Sequence, residues 1–481
     1  MEGTYLAIVD ADRIQEYIFA PRQLKLIRGA SAIQRDVNLR HSLDVLRHSA
    51  YGPGNLGHED TILDQSLADK SWHNWEIVYA GGGNIYVLFR DESLARRFAN
   101  ETCALYRKHG GSASATSAVA PWTGSFRETL EKAQNRLMAR KTSPSLSQNH
   151  LSNPYWKVCE SCGLESASNW GRERILCTGC EKRRSQSSSS PFLGRIGSLL
   201  SPPRRLEAPE DFGGIGALSR PENYLGFIYI DVDKLGRFFD RLPQFDPAHY
   251  RRTSLLIKNT VETAVIEGCA AASEATESGG TAPFEILLLG GDDAMLVTSA
   301  QAVFPFLKKF RKSFQDSLAA EAPSLTFSAG VVWAHSHLPI SQYVWLAKQL
   351  LRSAKAAEGD KDKLDYLIAS ESMVAGLANR DRTRTLRPCT FDDFDRLSGE
   401  IRKWKRSGFP SSKAHQLYPM AFEEKPQGTL DFLYWLSRLE KSHRELACEF
   451  FKYGFWPKEP YQHTQGADLA ELWDFVEAAA E

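Results

Sequence analysis

The feature that most constrains this fold is a repeated order of elements. Near the start, the apolar run Tyr5-Leu6-Ala7-Ile8-Val9 leads into Asp10-Ala11-Asp12. A helical stretch follows, then a hairpin over residues 77–89 that turns at Gly81-Gly82-Gly83-Asn84. A helix over 92–108, a strand over 114–119 and a helix over 126–140 close the set. The second half repeats the order. A strand over 225–233 ends in Asp231-Val232-Asp233, and a helix over 255–271 leads to a hairpin turning at Gly290-Gly291-Asp292-Asp293. A helix over 300–318, a strand over 325–332 and a helix over 340–355 complete it. Two βαββαβ units, each with a trailing helix, predict an α+β chain with two ferredoxin-like domains. In the last helix Tyr343, Leu346, Ala347, Leu350, Leu351 and Ala354 recur at helical spacing, which assigns them to core.

The two copies differ at the hairpin tip. Gly-Gly allows positive φ and close approach of a ligand. Asp292 and Asp293 at ~5 Å would repel by about 3 kcal/mol at an effective dielectric of ~20, a cost that a divalent cation removes. On this tetrapeptide alone, a solvated turn is an equal reading, because Gly and Asp are common turn residues. The upstream strand shifts the balance. Alternation puts Asp231 and Asp233 on one face, with Tyr229 and Phe227 behind them. Paired in a sheet with the hairpin, they give a cluster of hard oxygen ligands suited to magnesium or manganese and to two-metal nucleotidyl transfer. The first copy has Asn84 in the hairpin, so Asp10 and Asp12 read equally as strand-end or helix-cap residues.

Four of the eight cysteines fall in one window, Cys159-Glu-Ser-Cys162 and Cys177-Thr-Gly-Cys180. Two Cys-x-x-Cys knuckles at this spacing predict a structural zinc site whose four thiolates leave no open position for catalysis. Lys+Arg and Asp+Glu both number 59 among 481 residues, so bulk charge does not drive nucleic-acid binding and local patches would have to. No apolar run has the length of a membrane span and Met1-Glu2-Gly3-Thr4-Tyr5 does not open a signal peptide, so a cytoplasmic location without membrane contact is expected. The expected domains are 1–150, 151–205 (zinc-ribbon-like insert and Ser-rich linker), 206–378, and an aromatic-rich helical region at 379–481. In that region Arg402-Lys403-Trp404-Lys405-Arg406, with Arg380, Arg382, Arg384 and Arg387, reads as a solvated helix face ahead of an RNA-contacting patch.

Together these motifs resemble the large signalling subunit of type III CRISPR effector complexes, the CRISPR polymerase family with paired Palm domains. Asp231-Val232-Asp233-Lys234-Leu235-Gly236, Gly290-Gly291-Asp292-Asp293, Phe327-Ser328-Ala329-Gly330-Val331-Val332 and the run from Leu346 to Lys355 are similar to its second Palm. Arg13-Ile14-Gln15-Glu16-Tyr17-Ile18-Phe19 and Leu26-Ile27-Arg28-Gly29-Ala30-Ser31 are similar to its first. The zinc knuckles lie between the Palms, as in the family. The resemblance implies conversion of ATP to cyclic oligoadenylates, with Asp231, Asp292 and Asp293 on two magnesium or manganese ions and Asp233 on the cofactor-binding side of the site. It places Gly290, Gly291 and Gly330 against the nucleotide and lets Lys355 reach a triphosphate, beside the plainer readings of strand packing for Gly330 and a helix C-terminus for Lys355. Expected partners are other effector subunits with guide and target RNA, or a second copy of the chain for a stand-alone enzyme. The family often carries an N-terminal HD nuclease domain. This sequence opens on the first Palm strand, and neither His58-Glu59-Asp60 nor Asp392-Asp393 supplies a His-Asp constellation, so DNA cleavage is not expected. Two alternatives stay open: a structural subunit of an RNA-guided complex with a vestigial metal site, and a stand-alone cyclic dinucleotide synthase.

Overall fold

A computed structural model describes residues 2–58, 61–142, 157–170, 175–187, 190–242, 244–357, 362–369, 385–423, 427–451 and 465–478. The chain forms two compact units that interleave along the sequence. The first comprises Met1–Phe192, Lys234–Thr263 and Ile286–Ala294, and the second Leu193–Asp233, Ala264–Glu285 and Met295–Glu481.

The first unit is built on β1 (Tyr5–Asp12), α1 (Ile14–Phe19), α2 (Leu24–Asp36), β2 (Trp75–Gly81), β3 (Asn84–Phe89), α3 (Glu92–Gly110), β4 (Ser114–Pro121) and α4 (Phe126–Thr142). Its sheet has the order β2-β3-β1-β4, the ferredoxin-like arrangement the repeat predicts. β1 is antiparallel to both neighbours, with Asp10 opposite Asn84 on one side and Thr116 on the other. The central strand is apolar on both faces, and Leu6 to Val9 are fully buried. α3 starts where the Asp91 carboxylate accepts a hydrogen bond from the Leu94 N–H at 2.9 Å, an N-cap typically contributing about 1 kcal/mol. A long helix, α6 (Pro247–Glu274), gives its first half to this unit. Its Arg251 is buried, pairing with the equally buried Glu76 at 2.6 Å and with Asp64 at 2.8 Å. Removing one partner of such a pair strands a buried charge, at about 3–5 kcal/mol.

The second copy comprises β5 (Tyr224–Val232), β6 (Phe284–Leu289), β7 (Asp293–Ser299), α7 (Val303–Leu318), β8 (Phe327–His335) and α8 (Ile340–Ala356). Two strands absent from the sequence reading extend it: β9 (Lys363–Ala369), parallel to β8, and β10 (Cys389–Thr390). The strand order is β10-β9-β8-β5-β7-β6. α8 buries Tyr343, Leu346, Ala347, Leu350, Leu351 and Ala354, the stripe its spacing predicts. Phe227 of β5 stacks on Tyr343, with ring centroids 5.9 Å apart. Truncating Leu350 to Ala would cost about 2–5 kcal/mol.

The C-terminal region is helical and belongs to the second unit. Thr390 caps α9 (Phe391–Arg406), accepting from the Asp393 N–H at 3.1 Å. Arg402, Lys403, Lys405 and Arg406 stay at least partly exposed, as a solvated helix face requires, while the aromatic between them turns inward. Trp404 is fully buried among Phe409, Phe450 and Phe451, so it cannot stack on a base. Arg387 is also buried, pairing with Asp468 at 3.0 Å and Glu471 at 2.6 Å. Lys403 pairs with Glu449, and Lys405 donates to the Val476 carbonyl. Arg380, Arg382 and Arg384 lie outside the described residues.

Candidate active site and metal centre

β5 carries Asp231 next to its last residue, and Asp233 follows directly. The Asp233 N–H donates to the Thr326 carbonyl at 2.8 Å. Its carboxylate accepts from the Thr326 hydroxyl at 2.9 Å and the Ser328 hydroxyl at 2.7 Å. Asp231 is paired with Lys355, which ends α8 and donates to the Val232 carbonyl at 3.3 Å, with Asp233 Oδ1 at 3.9 Å. Asp231 and Asp233 thus lie together as the alternation predicts, and Lys355 stands on carboxylates. Lys234 follows with φ 52°, a left-handed conformation uncommon outside glycine.

The first copy contains the same cluster. Asp12 accepts from Ser114 at 3.1 Å and Thr116 at 2.9 Å. Lys141, near the end of α4, lies 2.9 Å from Asp10 and 3.2 Å from Asp12. Arg13 follows with φ 47°. Asp10 and Asp12 are therefore ion-paired, and Asp12 caps no helix. Burial raises the Asp10 pKa despite Lys141. Burial opposes protonation of Lys141, but its bonds to Asp10 and Asp12 outweigh that and hold its pKa above the usual lysine value.

The hairpin glycines have a different reason from the expected one. In the first hairpin Gly82 and Gly83 have φ of +55° and +90°. Gly290 and Gly291 are not in the positive-φ region. They provide space instead. A Cβ on Gly290 would lie 2.2 Å from Asp293 Oδ1, and one on Gly291 would lie 2.3 Å from the Tyr79 hydroxyl. The Gly290 N–H donates to the Asp293 carbonyl at 2.8 Å, closing the turn. Asp292 and Asp293 are partly exposed. Asp292 and Asp293 belong to the first unit and Asp231 and Asp233 to the second.

The geometry at Gly330 matches the strand-packing reading. A Cβ there would lie 2.3 Å from the Ala347 carbonyl oxygen and 2.7 Å from the Leu351 nitrogen. Its bare Cα lets the α8 backbone close onto β8.

The four knuckle cysteines converge, with their sulfur atoms all within 4.8 Å of one another. Tetrahedral zinc with Zn–S of about 2.3 Å sets neighbouring sulfurs about 3.8 Å apart, and Cys162 and Cys177 stand at 3.8 Å. The donor set fits a closed zinc site. Hydrogen bonding from Cys177 and Cys180 lowers the Cys162 pKa, while that with Cys162 raises those of Cys177 and Cys180, the last to about 12. Cys177 also caps α5 (Thr178–Ser185), accepting from the Cys180 N–H at 3.3 Å. Sequence reasoning missed Arg183. It is buried, donates to Cys180 Sγ at 3.4 Å and to the Tyr17 carbonyl at 3.1 Å, and lies over the Tyr17 ring at 4.2 Å.

Two palm-like copies, one with a glycine-aspartate hairpin, and a four-cysteine knuckle define a paired-palm protein. Residues 224–365 match the family model of the Cas10/Cmr2 second palm domain. No curated protein matches the chain by sequence. Among solved structures, Csm1 in T. onnurineus is 16% identical, with a TM-score of 0.59 over 99% of this chain and 69% of that one. A Csm1–Csm4 cassette in complex with one ATP is 16% identical, with a TM-score of 0.60 over 99% of this chain and 70% of that one. The same cassette in complex with cA4 gives 14% and 0.60 over the same shares. Residues 224–365 are thus similar to the Cas10/Cmr2 second palm domain, and the chain as a whole shares the fold of Csm1. Among the described residues, no helix is long and apolar enough to cross a membrane.

Proposed function

We propose that this chain is a metal-dependent nucleotidyltransferase that joins ATP into cyclic oligoadenylates as a subunit of a type III CRISPR effector. The carrying observation is the second-copy hairpin, whose glycines leave room for two adjacent carboxylates while the first-copy hairpin has none. The first copy supports the alignment, since Asp10 pairs in register with Asn84. By the repeat, Asp231 corresponds to Asp10 and Asp293 to Asn84. Asp231, Asp292 and Asp293 are hard, partly exposed oxygen donors, a set that fits magnesium or manganese. Two such ions would activate the attacking ribose hydroxyl and neutralise the departing pyrophosphate. Asp233, held by two hydroxyls, keeps the strand end in place. Lys355 neutralises Asp231 and would exchange that carboxylate for an incoming triphosphate. The similarity to Csm1 in cassettes with Csm4, ATP and cA4 supports this substrate, this product class and assembly with a Csm4-like subunit.

A second reading, a structural subunit with a vestigial metal site, is favoured by Lys355 itself, because Lys141 pairs in the same way in the copy without hairpin carboxylates. One experiment separates the two. Purified protein, alone and reconstituted with partner subunits and target RNA, is given ATP with magnesium or manganese. Cyclic adenylates that fall by about 10³-fold or more in Asp292→Ala/Asp293→Ala support catalysis. No adenylate product under any of these conditions, or full activity in the double variant, leaves the structural reading.

A further inference from the structure

Within the first unit the two hairpin tips meet. A Cβ on Gly82 would lie 3.0 Å from the Gly291 nitrogen and 3.4 Å from the Tyr79 hydroxyl. A Cβ on Gly291 would lie 2.3 Å from that same hydroxyl. The oxygen of Tyr79 therefore sits between two glycines, one from each hairpin. Its ring is braced by Tyr86, with centroids 5.7 Å apart, and Tyr86 by Tyr250 at 6.2 Å. These ring contacts oppose the swing of the phenol that a methyl group on Gly291 would require. Burial, and then the negative charge of Asp292 and Asp293, push the Tyr79 pKa upward, so the hydroxyl keeps its proton beside the carboxylates.

We propose that Tyr79 is a positioning residue for the Gly290–Asp293 turn: the hairpin of the degenerate copy supplies the hydroxyl that fixes where Asp292 and Asp293 stand. The inference rests on the proposed function in treating that turn as the metal-binding element. It assigns the first copy a specific task, shaping the other copy's site through one side chain. It also accounts for Gly291, which is required as the surface on which the hydroxyl rests.

The test is a double-variant cycle read by Mn²⁺ binding to the purified chain, measured by electron paramagnetic resonance with Asp292→Ala/Asp293→Ala as the blank. Gly291→Ala is expected to weaken Mn²⁺ binding about 10-fold or more, the scale on which supporting residues affect metal sites. Adding Tyr79→Phe, which deletes the struck oxygen, is expected to restore most of that loss. Tyr79→Phe alone is expected to weaken binding about 3- to 10-fold with an unchanged thermal midpoint, as a purely structural tyrosine would not. Gly291→Ala protein that binds Mn²⁺ like the wild type overturns the proposal, as does a double variant no better than Gly291→Ala. Wild-type protein with no Mn²⁺ signal above the blank overturns it too. Adenylate synthesis is assayed on the same samples. Coupling in Mn²⁺ binding without synthesis supports the role of Tyr79 while refuting the catalytic reading.

Discussion

The two palm copies build one polar cluster twice and differ beside it. Asp10, Asp12, Ser114, Thr116 and Lys141 in the first correspond to Asp231, Asp233, Thr326, Ser328 and Lys355 in the second. Even the strained residue that follows is repeated, Arg13 in one and Lys234 in the other. The cluster therefore belongs to the architecture: it closes the end of a central strand and pins the trailing helix to it. Asp231 and Lys355 are not by themselves a sign of chemistry, since their counterparts occur where no hairpin carboxylates exist. The distinguishing change is the tip, where Gly83-Asn84 is replaced by Asp292-Asp293. The backbone changes with it, from a positive-φ turn to one whose glycines only clear space.

The largest expected way to break this comparison is to remove each lysine in turn. Lys355→Met should lower adenylate synthesis about 100-fold, because Asp231 loses its partner and a triphosphate loses a cation. Lys141→Met should leave synthesis within about threefold and lower only the thermal midpoint, since two half-buried carboxylates lose their shared cation. Product chromatography and a thermal melt on both variants decide it. Equal loss of product from both would mean that the first cluster also takes part in chemistry.

The repeat was legible because it is written in short-range signals: apolar alternation, Gly-Gly turns and an amphipathic trailing helix. The cysteine knuckle was legible through its spacing. The lysine partners were not, since Lys141 acts on Asp10 across 131 positions and Lys355 on Asp231 across 124. A signal was available in the repeat itself, where each trailing helix carries a lysine near its end and the strand before it opens with Ser and Thr at alternate positions. Two readings of Gly330 stayed open because strand alternation says which residues share a face but not which face a helix covers. β9 was missed because Lys363–Ala369 is a short run that pairs in parallel with β8, so no hairpin signal links the two. Around Trp404 the charges obscured a helical stripe of Phe394, Leu397, Ile401 and Trp404, all buried.

The knuckle extends the comparison, because Arg183 joins it to the first copy. Arg183→Met should speed loss of zinc to a colorimetric chelator and weaken its affinity about 10- to 100-fold, since a thiolate loses its donor and charge partner. If the knuckle is welded to the palm through this residue, hydrogen exchange over α1 and α2 should rise in the same variant and on chelation of the wild type. Faster zinc loss with unchanged exchange would limit Arg183 to the metal.

The smallest effect probes the repeat most directly. In each copy two hydroxyls hold one carboxylate, Ser114 and Thr116 on Asp12, Thr326 and Ser328 on Asp233. A hydrogen bond to a charged group contributes about 1.5–3 kcal/mol when buried and less where water can replace it, and both carboxylates are partly exposed. Thr116→Ala and Ser328→Ala should therefore each destabilise by about 1 kcal/mol in denaturant unfolding. The magnitudes should match because the geometry does. Synthesis should separate them: Ser328→Ala loosens Asp233 beside the proposed metal ligand Asp231 and lowers the rate severalfold, while Thr116→Ala leaves it unchanged. Matching stabilities with unequal rates would show one structural motif present twice and recruited to chemistry once. Equal rates would reduce Asp233 to an architectural residue in both copies and leave the hairpin carboxylates as the sole functional difference between them.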